Sequence, residues 1–266
     1  MIRKSGGFFV IALINFEILK FFKNKKMLFV LTFIISFLLT SVIYIVAPSH
    51  NKPSGFLMLS TLLSLIYPLL CFVSLFLGIV FFSQEYEKGT LGMILIGRFS
   101  REEFFIAKII SLLISISLFV LGIFLSSIFA GLLFSHFKGI EIQGYVLKTL
   151  SSLWFDTFKL FLLLVFFLYS YSLLGFLLGI ILKKLFLSIL SSFLIYFLLL
   201  ILSFLPKVKK FSFSYYLDLI VNSFAKTTNG IYVSTSWTFY FPILINLFYI
   251  FIFIFSGIFL FKRMEI

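Results

Sequence analysis

From Ile106 to Phe134 the chain carries one charged residue, Lys108 near the head of the stretch, and is otherwise apolar, small or hydroxylated. A helix needs about 20 such residues to cross a hydrocarbon core of about 30 Å. Comparable stretches recur at Met27–Ala47, Phe56–Phe82, Phe158–Leu182, Leu185–Leu205 and Phe239–Phe261. Of the 266 residues, 62% are hydrophobic and 12% charged, against about 25% charged in a soluble domain. The apolar runs are continuous, whereas an outer-membrane barrel alternates apolar and polar residues. The reading is an all-α polytopic membrane protein with six transmembrane helices in a single transmembrane domain, 1–266.

The remaining segments are read by pattern. In 1–26, Ile11, Ile14, Ile18, Phe21 and Phe22 share one helical face, and Glu17, Lys20 and Asn24 share another. That pattern predicts an amphipathic helix lying in the membrane interface, with Lys23 and its neighbours forming a basic cluster beside it. The first apolar stretch is broken by Glu17 and Lys20, so no cleavable signal peptide is expected. Pro68 is expected to kink the second span. Residues 206–238 form a polar and aromatic loop in which "SYYLDLIVNSF" suits a short helix at or partly in the membrane.

Six spans leave both termini on one side. Fourteen of the 22 lysines and arginines fall on that side and eight in the opposite loops. The positive-inside rule then places both termini in the cytoplasm of a multi-pass protein of the cell inner membrane. The net charge of +13 is read as cytoplasmic lysine and arginine facing anionic membrane lipids rather than nucleic acid. The single cysteine, Cys71, permits no disulfide within the chain and no multi-cysteine metal site.

Between the second and third spans lies a dense polar island, 83–105. Its "SREE" (Ser100–Glu103) has the spacing of a capping box that starts a helix running into the third span. Before it, Leu91, Ile94 and Leu95 fall at helical spacing between Gly89 and Gly97. The island therefore reads as helix, break, helix on the cytoplasmic surface.

The island "QEYEKGTLGMILIGRFSREEFFIAK" resembles the cytoplasmic segment after the second span in permease subunits of ABC transporters of the ABC-2 type. The matching positions are Glu85, Gly89, Thr90, Leu91, Ser100, Arg101 and Lys108. The N-terminal "NFEILKFFKNKKMLFVL" resembles the same family's elbow helix, with Glu17, Lys20 and Lys23 ahead of the first span. Phenylalanine stands where the family often has proline before Ser-Arg, and Ala107 where it often has glycine. The resemblance implies a coupling helix between spans two and three that packs on a separate ATPase subunit. Leu91, Ile94 and Leu95 would supply apolar anchors there, and Glu85, Glu87, Arg98 and Arg101 the charges. It also implies a second permease copy or paralogue, and export as the direction of transport.

Other features bear on mechanism. The sequence has no G-x-x-x-x-G-K-[ST] motif, so ATP-Mg is expected on the partner ATPase and no cofactor or metal on this chain. No ionisable residue is expected deep in a span, which argues against a proton- or sodium-driven carrier. His50 and His136 lie in separate loops without metal-ligand spacing, so no catalytic residue is assigned. The alternatives are a non-transporting membrane scaffold or immunity protein, or an ion-independent carrier.

Overall fold

The computed structural model describes residues 6–46, 55–89, 100–134, 140–142, 145–148, 150–205, 209–228 and 240–263. They form helices α1 (Gly6–Val46), α2 (Gly55–Glu87), α3 (Arg101–Phe134), α4 (Leu150–Leu182), α5 (Leu185–Phe204), α6 (Phe213–Thr228) and α7 (Tyr240–Arg263). A short antiparallel ladder pairs β1 (Ile140–Ile142) with β2 (Tyr145–Lys148) between α3 and α4, and a 3-10 turn at Lys209–Phe211 precedes α6. The chain is an all-α membrane protein, with that ladder the one β pairing among the described residues. Among the described residues five helices are long and apolar enough to cross a membrane: Met58–Glu87, Arg101–Phe134, Leu150–Leu182, Leu185–Phe204 and Tyr240–Arg263. In α1 the described apolar part, Thr32–Ile45, is shorter.

Two pairings build the bundle. The first joins α2 to α4, which approach until their backbones touch. A Cβ on Gly78 would lie 1.9 Å from the Ser172 carbonyl oxygen, and one on Gly175 would lie 2.0 Å from that of Leu75. Glycine is required at both positions because helix axes this close leave no room for a side chain. The second pairing sets α1 along α3. Ser36 Oγ and Ser126 Oγ meet across it, while Ser36 also donates to the Thr32 carbonyl at 2.7 Å. Hydroxyls that bond back to their own helix in this way cost little in an apolar setting. A third polar link, Ser170 Oγ to Asn246 Oδ1 at 2.7 Å, ties α4 to α7 with both residues fully buried.

The sequence reading divides the first 47 residues into an interfacial helix and a separate span. The structure runs Gly6–Val46 as one helix of 41 residues, about 60 Å long. Its face is also turned. Leu13 and Glu17 are buried against the bundle, while Ile11, Phe16 and Leu19 are exposed. The acidic position thus faces protein rather than the headgroup layer. Helix α2 continues through Pro68 without a break, and the Tyr196 phenol donates to the Pro68 carbonyl oxygen at 2.9 Å.

Helix α6 lies within the stretch read as a loop. Its apolar face, Phe213, Leu217, Ile220, Val221 and Phe224, is buried, with Asn222 exposed on the other side. That spacing is a 3.6-residue stripe. The stripe packs on α2 and the middle of α4, where the Phe213 and Tyr171 rings meet edge to face at 4.7 Å. By contrast α5 buries almost nothing, and Phe186 and Phe204 at its two ends are 78% and 80% exposed.

Candidate functional site

One end of the bundle gathers the charged residues that the sequence scatters over three segments. Lys108, two turns into α3, is 1% exposed. Its ammonium donates to Glu17 Oε2 of α1 at 2.8 Å and to the Phe81 carbonyl oxygen of α2 at 3.3 Å, and lies 2.7 Å from Glu85 Oε1 of α2. Glu85 Oε1 also accepts from Lys20 of α1. Two lysines and two glutamates make the cluster formally neutral. Neutrality matters because an isolated charge in an apolar interior costs several kcal/mol, on the order of what a good ion pair returns. The cluster spans the start of the chain, the end of α2 and the start of α3.

Below the ammonium the packing is aromatic. Phe82, Phe104, Phe105, Phe176 and Phe261 come from α2, α3, α4 and α7, with ring centroids between 5.6 and 6.0 Å apart. Lys108 Nζ lies 5.4 Å from the Phe104 ring centroid. Quadrupolar ring faces are favourable neighbours for a cation, so the phenylalanines seal the ion pairs and also favour the charge.

The neighbouring charges fasten helix ends to one another. The Ser100–Glu103 capping box forms as the spacing predicts: Glu103 N–H donates to Ser100 Oγ at 3.2 Å and Ser100 N–H donates to Glu103 Oε2 at 2.9 Å. Arg101 donates to the Lys262 carbonyl oxygen at 3.1 Å, and Lys262 Nζ pairs with Glu102 at 2.7 Å, so the end of α7 is held to the start of α3. Glu87 Oε1 accepts from the Leu185 N–H at 2.6 Å, and a side chain of α2 thereby caps α5, whose own N-cap residue, Lys184, makes no side-chain cap. Helix α2 ends at Glu87, and the turn after it reaches Gly89, whose φ of +66° is open to glycine at little cost.

The predicted site residues therefore divide. Glu85 and Lys108 are buried and face Glu17 and Lys20, while Glu87, Gly89 and Arg101 are exposed and Lys23 points away from the protein. Ser100 is half-buried in its cap. Thr90, Leu91, Ile94, Leu95 and Arg98, with the expected coupling helix, lie outside the described residues. The bonds from Glu17 and Lys20 into the island were not read from the sequence, because its period places them on one helix face without showing what that face meets.

The arrangement brings the two regions that carry the family resemblance, the N-terminal helix and the segment after α2, into one buried cluster. Residues 13–191, roughly two thirds of the chain, match the family model described as ABC-2 family transporter protein. The chain belongs to the ABC-2 transporter family. The matched region runs from α1 into α5 and includes all four members of the ionic cluster; α6 and α7 lie beyond it. No curated protein matches the chain. Membership makes it a multi-pass permease component of an ABC transporter, the membrane part of the machine and not its catalytic part. The exposed charges Glu87 and Arg101 stand at the end of α2 and the start of α3, on either side of residues 90–99.

Proposed function

We propose that this chain is the membrane-spanning subunit of an ATP-driven exporter. It crosses the bilayer six times with both termini in the cytoplasm, pairs with a second copy or a paralogue to form the pathway, and is driven by a separate ATPase subunit that binds ATP-Mg. The observation that carries the reading is the family match together with the ionic cluster. Glu17, Lys20, Glu85 and Lys108 tie α1 to both helices that flank residues 90–99. A push on that connection by an ATPase would reach α1, α2 and α3 together.

In this scheme Leu91, Ile94, Leu95 and Arg98 contact the ATPase, with Glu87, Thr90 and Arg101 beside them. Glu85 and Lys108 are positioning residues that hold the connection against the elbow region. The first crossing is made by the second half of α1, the helix in which Lys23 marks the cytoplasmic boundary. Lysine and arginine bias supports the orientation.

The test is purification of the tagged chain from its native membranes in mild detergent, with mass spectrometry of its companions. A P-loop ATPase at near-equal stoichiometry, lost on replacing Leu91, Ile94 and Leu95 by Asp, is the expected result. A homo-oligomer without any ATPase, under conditions that preserve a known ABC assembly, would favour a membrane scaffold or immunity protein.

A further inference from the structure

Beside the far end of α5, a cavity of about 350 Å³ opens between the middle of α2, the end of α5, the 3-10 turn and the start of α6. That volume lies within the roughly 300–1,000 Å³ of small-ligand sites. The wall has three kinds of chemistry. Asp218 and Lys209 supply a carboxylate and an ammonium. Tyr67 and Tyr215 supply phenols. Leu200 and Phe204 supply an apolar lip.

The two charges share the cavity without closing on each other. Asp218 Oδ1 is held in place by the Tyr67 O–H at 2.7 Å and by the Asn222 side-chain N–H at 2.8 Å. Among the described residues Oδ2 makes no hydrogen bond. Lys209 Nζ lies 5.3 Å from the Tyr215 ring centroid and has no carboxylate partner among the described residues. A fixed acceptor and an unneutralised cation in one concave site suit a ligand that carries a cation and an anion close together. Such a ligand neutralises both walls at once, and a singly charged one leaves a repelled charge behind.

The location narrows the ligand further. Tyr67 lies about 27 Å along α2 from Glu85, close to the thickness of a hydrocarbon core. The cavity also adjoins Phe204 and Lys209, at and just past the far end of the 20-residue helix α5, which fits headgroup depth in the leaflet facing away from the termini. Its lip continues onto the exposed face of α5, where Phe197, Ile201 and Phe204 are uncovered by the rest of the chain. Acyl chains can lie along that face while a headgroup enters the cavity.

We propose that this cavity binds a zwitterionic ammonium–phosphate headgroup, with the ammonium on Asp218, the phosphate on Lys209 and the acyl chains on α5. The inference does not depend on ATP-driven transport. It is tested on the full chain in nanodiscs containing equal phosphatidylethanolamine and phosphatidylglycerol, by native mass spectrometry of retained lipid. Soluble glycerophosphoethanolamine serves as a competitor. One retained phosphatidylethanolamine per chain is expected, with Asp218→Asn and Lys209→Gln each reducing occupancy about tenfold. Lys209 is half-buried in a three-residue turn outside the long helices, so Lys209→Gln keeps the test valid if the Asp218 variant fails to fold. Displacement by glycerophosphoethanolamine at concentrations matching the lipid would support the same chemistry with a free headgroup as the source. Equal retention of phosphatidylglycerol, or phosphatidylethanolamine occupancy unchanged in the Lys209 variant, would overturn the proposal.

Discussion

Glu17 and Lys108 are 91 positions apart and meet inside the protein at 2.8 Å. Replacing Lys108 by Met leaves Glu17 and Glu85 facing each other with only Lys20 to balance them. Breaking a buried pair by removing one member costs about 3–5 kcal/mol. Lys108→Met should therefore lower thermal stability in detergent clearly. Adding Glu17→Gln should recover much of the loss, because the Lys20–Glu85 pair then stands neutral. A double variant no more stable than Lys108→Met, by thermal unfolding followed on a size-exclusion column, would show that the two residues are not coupled.

The α2–α4 contact makes a second contrast. Gly175→Ala places a methyl 2.0 Å from a backbone oxygen and must push the helices apart. Gly122→Ala meets nothing within 4 Å and fills a helix interior where glycine is worse than alanine by about 1 kcal/mol. The first should lower the melting temperature and the second should leave it unchanged or raise it. Equal behaviour would contradict the close packing.

Much of this architecture is legible in the residues. The apolar runs mark where helices lie, and the Ser100–Glu103 spacing correctly marks the start of α3. The partnership of Glu17 with Lys108 is not legible, because it depends on how α1 is rotated against α3, and no local period encodes that. The same holds for α1 itself. Charges at Glu17 and Lys20 suggest a helix lying in the interface, yet the structure satisfies them internally, so one helix continues through. Helix α6 is partly legible as an apolar stripe among polar residues. Its docking onto the middle of α4 rests on ring contacts such as Tyr171 with Phe213, which sequence order does not reveal.

Glu87 caps a helix other than its own. Glu87→Ala should free the Leu185 amide at the start of α5 and cost about 1 kcal/mol locally, the usual worth of a lost cap. Hydrogen exchange should speed up at Leu185 to Ser188 while the α2–α4 contact stays protected. Unchanged exchange there would show that the cap does not hold α5.

The capping box supplies a matching test on the other flank of residues 90–99. Ser100→Ala removes the acceptor for the Glu103 N–H and should loosen the first turn of α3 by about 1 kcal/mol. Ser100→Asp, which restores an acceptor, should retain near-native exchange. Equal exchange in the two variants would count against the cap.

The most direct test of an ATP-driven permease is the steady-state ATP turnover of the companion ATPase, measured alone and in the reconstituted assembly with this chain. Turnover that changes at least severalfold when the chain is present, and returns to the isolated rate when Leu91, Ile94 and Leu95 are replaced by Asp, is the result expected. Identical turnover with and without the chain, from two proteins that do not associate, would contradict it.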